Sequence, residues 1–343
     1  MKKKRFTVGL PIRQNDAFIQ KIIEEKESIS EVYFSWGQFP SGRSAQTEND
    51  VATPWENQQK QIKQLEKLHE NGLSFNLLFN ANCYGEESLS KAFFYQIGDT
   101  VEYIKERFSL LSITTTSPLI AKFIKTNFPM IKTRASVNIG IGTPHAAEYL
   151  LEYFDGFYLK REYNKDLSAI KRMREFCTRQ NKELHLLANS GCLNDCSAHT
   201  FHDNLVAHEA QIAKYENAYI FEGVCRNFFS REGGIERFLQ HTSCLRPEDI
   251  FLVEEYFDGV KLATRTSPNP MLVLDAYSRG SFSGSLLSLL EPDHSALFFP
   301  SVLENKKIAP DYLEKVLRCD KQCERCEYCQ NINKNALVHL EDI

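Results

Sequence analysis

Short apolar runs alternate with longer amphipathic stretches along most of the chain. Runs rich in β-branched and aromatic residues occur at 6–11 (FTVGLP), 31–36 (EVYFSW), 74–81 (SFNLLFNA) and 110–117 (LLSITTTS). Four more follow at 134–142 (RASVNIGIG), 156–162 (GFYLKRE), 184–189 (LHLLAN) and 259–265 (GVKLATR). Their lengths are those of strands. Between them the period changes. In WENQQKQIKQLEKLHENG (55–72), Ile62, Leu65 and Leu68 recur every third residue on one helical face, and a glycine follows the end. LSAIKRMREFCTRQN (167–181) and PNPMLVLDAYSRG (268–280) read as helices in the same way.

Eight strands alternating with helices predict a mostly parallel sheet, and in a chain of this size a closed TIM-like (β/α)8 barrel rather than an open doubly wound sheet. No Gly-x-Gly-x-x-Gly turn opens the first unit, which speaks against a dinucleotide site. One connection is abnormal. Residues 190–258, between the seventh and eighth strands, far exceed an ordinary loop of about 2–6 residues. The expected organisation is a barrel domain over 1–290, carrying 190–258 as a cysteine-bearing insertion, and a C-terminal cysteine-rich extension over 291–343 with little regular pattern.

Composition narrows the class. The 343 residues carry a net charge of −4, and 42% are hydrophobic and 25% charged, values of a water-soluble globular protein. Nothing there marks a general nucleic-acid binder, although a local basic groove remains compatible with it. The basic start MKKKRFTVGLPIRQND lacks the apolar run of a signal peptide, and no stretch approaches the roughly 20 apolar residues of a membrane span. A cytoplasmic protein is expected. In that reducing compartment, ten cysteines point to metal or redox chemistry more than to disulfides.

Four of the ten lie in CDKQCERCEYC, at Cys319, Cys323, Cys326 and Cys329. Thiolates at such short intervals wrap one centre, and iron–sulfur clusters take four from runs of this kind. Zinc is the alternative at this tail, but its sites more often use two separated pairs. The first three also have the spacing of a radical S-adenosylmethionine signature, though at the wrong end of a barrel chain. A second group follows the seventh strand in LLANSGCLNDCSAHTFHDN: Cys192 and Cys196 form a C-x-x-x-C pair, with Cys225 as the third ligand. Cys244, His202 or a tail thiolate would supply the fourth. There the strand ends so as to present thiolates at the barrel mouth. Cys83 and Cys177 read as structural, and His199 and His208 as surface or packing residues.

Polar residues close several other strands: Asn80 and Asn82, Asn138, Lys160, Arg161 and Asn164, Asn189, and Lys261 and Arg265. Most such residues cap helices or meet solvent. Cations converging on one mouth would suit a carboxylate or phosphate. No Gly-x-Ser-x-Gly elbow is present, and the His-Glu at 208–209 lacks a second histidine at zincin spacing.

RASVNIGIGT (134–143), YLKREYNKDLSAI (158–170), LANSGCLNDCSAHTFHDN and CLRPEDIFLVEEYFDGVKLATRT (244–266) together resemble the U32 (collagenase-like) peptidase family over roughly residues 5–290. The resemblance implies a TIM-like barrel. It also implies the branch of relatives that carry a 4Fe–4S cluster and hydroxylate tRNA, ribosomal RNA or quinone precursors without dioxygen. In it, Cys192, Cys196 and Cys225 correspond to cluster ligands. The relatives space their four cysteines differently, and the tail run is absent from the hydroxylases, which suggests a subgroup with a second cluster.

The resulting expectation is an iron–sulfur enzyme, with one or two 4Fe–4S clusters, that carries out an oxygen-independent redox modification, hydroxylation first, of an anionic substrate. Arg161, Lys261 and Arg265 are its anion-binding candidates, and Asn138 and Asn189 its orienting groups. The substrate is a small molecule, a peptide or an RNA, and a heterodimer with a related subunit is compatible with the resemblance. The alternatives are a peptidase and a zinc-stabilised, non-enzymatic subunit of a complex.

Overall fold

Alternation within the strands decides the architecture. In a strand, successive side chains point to opposite faces. One set of alternates here is apolar: Phe6 and Val8, Val32 and Phe34, Phe75, Leu77 and Phe79, Leu184 and Leu186, Val260 and Leu262, all buried in one hydrophobic core. The other set includes Thr7, Glu31, Asn76, Ser112, Thr114, Arg134, His185 and Lys261, also buried. A sheet with this pattern covers its apolar face with helices and closes its polar face upon itself.

In the computed structural model, which describes residues 5–11, 15–37, 39–42 and 54–340, eight parallel strands form that closed barrel. They are β1 (Phe6–Gly9), β2 (Ile29–Phe34), β3 (Phe75–Phe79), β4 (Leu110–Thr115), β5 (Lys132–Ala135), β6 (Gly156–Tyr158), β7 (Glu183–Leu187) and β8 (Gly259–Leu262). The last pairing closes the ring, with Thr7 of β1 opposite Lys261 of β8. Around it run α1 (Asp16–Glu24), α2 (Pro54–Glu70), α3 (Lys91–Arg107), α4 (Pro118–Asn127), the short α5 (Pro144–Glu148) and α6 (Leu167–Arg179). The insertion contributes α7 (His199–Ala207), α8 (Glu209–Ile212), α9 (Val224–Phe229) and α10 (Phe238–His241), and α11 (Pro270–Arg279) follows β8. The basic N-terminal residues 1–4 and 12–14 lie outside the described residues.

All eight predicted strands are present, most with shorter ends. β5 stops at Ala135 rather than running to 142. Ser136 Oγ accepts from Asn138 N at 3.3 Å, and the turn Val137–Ile139 ends on Gly140 in the left-handed region, φ 78°. β6 stops at Tyr158, and a turn at Arg161–Tyr163 follows. Both early stops lift polar side chains out of the sheet at its C-terminal end.

The segment after 290 corrects the expectation of little regular structure. It forms α12 (Ser295–Phe298), α13 (Tyr312–Leu317) and α14 (Tyr328–Ala336), plus an antiparallel pair of β9 (Ser301–Leu303) and β10 (Leu337–His339). Elements of three to nine residues are too short to show a period in sequence. The chain around residue 290 is bound to the mouth. Glu291 N donates to Asn189 O at 3.0 Å, and Gly191 N to Glu291 O at 2.9 Å. At Gly191 a Cβ would lie 2.3 Å from Pro292 O, so only glycine admits that crossing.

The barrel interior is ionic. Glu31 accepts from Asn76 Nδ2 at 3.3 Å and from Ser112 Oγ at 3.0 Å, and it pairs with Arg134. Arg134 Nε reaches Glu183 at 2.9 Å, and Glu183 also holds His185 Nε2 at 3.0 Å. Burial opposes ionisation of Glu183, but the His185 hydrogen bond and the Arg134 charge win and hold its carboxyl well below the usual range. Above this network, Val137, Tyr158, Leu187 and Ala263 form a small apolar layer.

Candidate functional site

Segments that follow β2, β3, β5, β6 and β7 build the mouth. The β6–α6 loop brings Arg161, 3% exposed, over the turn after β7. Its Nη1 donates to Cys192 Sγ at 3.3 Å, and its Nη2 to Asn138 Oδ1 at 3.0 Å. Asn138 Nδ2 continues to Asn80 O at 3.4 Å, and Asn80 Oδ1 accepts from Gly42 N at 3.1 Å. A Cβ at Gly42 would lie 2.6 Å from Asn138 Nδ2, so this polar chain depends on the bare backbone there.

Cys192, Cys196 and Cys225 are half-buried and close enough to interact. Burial pushes the Cys225 thiol up, and the neighbouring Cys192 and Cys196 sulfurs push it the same way. α9 carries Cys225, so the insertion folds back to complete the group. Cys244 stands apart: it is buried in the core with its sulfur 3.6 Å from Thr242 Oγ1. The His202 ring is 5.3 Å from that of Phe221.

The tail forms a second group. Burial raises Cys323, and Cys329, Cys319 and Cys326 all act on it. Burial raises Cys329 as well, against the lowering effect of Lys165. Lys165 is 5% exposed and donates to Thr242 O at 2.9 Å, Tyr312 Oη at 3.2 Å and Leu239 O at 3.4 Å. The residues Arg161 and Lys165 therefore place one buried cation beside each thiol group. Among the described residues neither has a carboxylate partner within salt-bridge distance. A buried charge without a counter-charge is costly. Anionic sulfur would supply it in both places.

The remaining candidates fall in different settings. Asn189 spends its amide on backbone, donating to Ala263 O at 3.0 Å and Leu289 O at 2.8 Å and accepting from Ala263 N at 2.6 Å. It ties β7 to β8 and to the chain near 290. Lys261 lies inside the barrel, its Nζ 4.0 Å above the Tyr33 ring and 5.4 Å from that of Tyr158. Arg265 is buried just beyond β8. Lys160 meets Asp195 at 3.4 Å. Asn82 donates to Asp203 at 3.3 Å, and Asn164 to Leu187 O at 2.7 Å. Sequence reading passed over Lys165, because a lysine in YLKREYNKD carries no sign that it will be buried.

Among the described residues, no group of three or more His, Cys, Asp or Glu side chains converges tightly enough to hold a metal ion. One tetrahedral zinc at Zn–S of about 2.3 Å would draw its sulfurs to within roughly 4 Å of each other. The donor sets themselves are soft thiols, the chemistry that suits zinc and iron–sulfur clusters. A cluster, with irons at separate corners, spreads its thiolates wider. A cleft of ≈ 700 Å³ lined by Lys132, Glu183 and Asp258 lies at the strands' N-terminal ends, away from both groups.

The U32 peptidase Mk0906 shares this architecture: TM-score 0.55 at 15% identity, over 75% of this chain and 91% of that one. The chain has a U32-like fold. An α-amylase from Lactobacillus plantarum matches at TM-score 0.39 and 10% identity, over 76% of this chain and 70% of that one. A muconate cycloisomerase variant matches at 0.34 and 14%, over 57% and 50%. No family model and no curated protein matches the chain. Among the described residues no helix is long and apolar enough to cross a membrane.

Proposed function

We propose that the protein is an iron–sulfur enzyme that modifies an anionic substrate at the barrel mouth by oxygen-independent redox chemistry, hydroxylation first. The observation that carries this reading is the pairing of each thiol group with a buried cation that lacks a carboxylate: Arg161 on Cys192 at 3.3 Å, and Lys165 acting on Cys329. Cys192, Cys196 and Cys225 would hold a substrate-facing 4Fe–4S cluster, leaving one coordination position open. Cys319, Cys323, Cys326 and Cys329 would hold a second. When bound, such a cluster supplies an electron path and a Lewis-acidic iron. The chain's own part is electrostatic and positional. Arg161 fixes a positive charge at the mouth, Asn138 and Asn80 hold it in register, and Arg265 adds a second cation for a carboxylate or phosphate. The apolar layer of Tyr158, Leu187 and Ala263 keeps that charge separate from the ionic network below.

The test is anaerobic purification followed by iron and sulfide counts and visible spectroscopy. Wild-type protein is expected to hold two clusters, Cys192→Ala/Cys196→Ala the tail cluster alone, and Cys326→Ala/Cys329→Ala the mouth cluster alone. Iron-free protein, or zinc in both groups, overturns the reading.

A further inference from the structure

Of the three cysteines outside both thiol groups, Cys177 and Cys244 are buried and Cys83 is not. Cys83 follows β3 at the rim of the mouth and is half-buried. Gly85 N donates to its sulfur at 3.4 Å, which the backbone allows because Gly85 sits at φ 76°. The insertion closes over this turn. Asp203 of α7 accepts from Asn82 Nδ2 at 3.3 Å and pairs with His199 at 3.3 Å. The next turn sets His208 beside the Cys83 thiol, close enough for each to act on the other's proton affinity. A Cβ at Gly85 would lie 4.0 Å from His208 Cε1. The other ring nitrogen, Nδ1, donates to Gln211 Oε1 at 2.5 Å, which leaves Nε2 for the sulfur.

From this geometry we propose that Cys83, His208 and Gln211 form a nucleophilic thiol site that exchanges with small-molecule disulfides. His208 holds the sulfur as a thiolate and Gln211 holds the ring. The charges agree with the arrangement. The Cys83 thiol is held below its ordinary range, first by His208 and then by Gly85 N–H. The His208 imidazole is held above its own by Cys83 and Gln211. Low-pKa thiols beside a cationic histidine are the reactive ones.

In the exchange, the Cys83 thiolate attacks one sulfur of RS–SR. A Cys83 S–S bond forms as the original S–S bond breaks, and RS⁻ leaves with the electron pair. The His208 imidazolium transfers its proton to RS⁻, giving RSH and a neutral ring. Cys83 is oxidised and half of the disulfide is reduced. Disulfide exchange fits better than acyl transfer. Acyl transfer needs N–H donors aimed where an oxyanion forms, each worth about 10²–10³ in rate, and Gly85 N–H is spent on the sulfur itself.

The experiment exposes the folded, anaerobically prepared protein to glutathione disulfide at neutral pH and follows adducts by peptide mass mapping. Folded Cys83 is expected to gain a glutathionyl group roughly tenfold faster than Cys83 in urea-unfolded chain. His208→Gln brings the rate down to the unfolded level, Gln211→Ala lowers it a few-fold, and Cys83→Ser removes the adduct. A folded rate no faster than the unfolded one, or a rate unchanged in His208→Gln, overturns the proposal. So does turnover of p-nitrophenyl acetate through acylated Cys83, which would make this an acyl-transfer site. Iron content is counted in the same samples, so the outcome is independent of the iron–sulfur reading.

Discussion

Single residues inside the barrel carry charge that nothing else could neutralise. Arg134 is buried between Glu31 and Glu183. Burial alone would favour losing its proton, but the Glu31 charge outweighs that and keeps it cationic. Removing Glu31 leaves Arg134 with Glu183 alone and takes a buried acceptor from Asn76 and Ser112 in a poorly solvated space. Glu31→Leu is therefore expected to cost about 3–5 kcal/mol, read as a lower urea midpoint at unchanged m-value. Ser112→Ala removes two hydrogen bonds from the same network, one to Glu31 and one from Arg134 Nη1, each at 3.0 Å, while the ion pair survives, and it is expected to cost about 1–2 kcal/mol. Equal losses in the two variants would mean that the network is not organised around the ion pair.

At the scale of elements, the insertion and the tail act as clamps on the mouth. α7 is fastened to the β3 loop through Asp203, which is buried and serves both Asn82 and His199. α14 is fastened to the insertion by Asn333, whose Oδ1 accepts from Leu239 N at 3.0 Å and whose Nδ2 donates to Ile235 O at 3.0 Å. Asp203→Ala leaves buried polar partners unsatisfied, at a cost of about 1–3 kcal/mol. Because the strain falls on the clamp, limited proteolysis is expected to open 199–230 first, with the barrel strands still protected. Uniform cleavage along the chain would count against a clamp.

Over the whole molecule, one loop joins the two thiol groups. Arg161 and Lys165 are four residues apart and face Cys192 and the tail respectively, and Lys321 Nζ donates to Lys165 O at 2.5 Å. Lys165→Met removes the cation beside Cys329 while retaining much of its bulk. Under the iron–sulfur reading, chelator treatment is expected to strip tail iron several-fold faster in this variant, with mouth iron unaffected, as followed by absorbance and iron counts. Equal loss from both groups would show that Lys165 serves the fold and not the tail thiols.

The strands, three helices and the oversized connection were legible from periodicity, because burial on one face leaves a period in the sequence. The grouping of Cys319 to Cys329 was legible because those residues are neighbours in the chain. Tertiary structure alone decided that the barrel interior is ionic, since the polar alternates in strands such as FTVG and FNLLF look like solvent-facing residues until the sheet closes. It alone decided that Cys225 joins Cys192 and Cys196 while Cys244 turns into the core, that Asn189 serves backbone, that Lys165 is buried, and that His208 meets Cys83. Those partners lie between 29 and 164 residues apart, and only the closing of the barrel and the paths of the insertion and the tail bring them together.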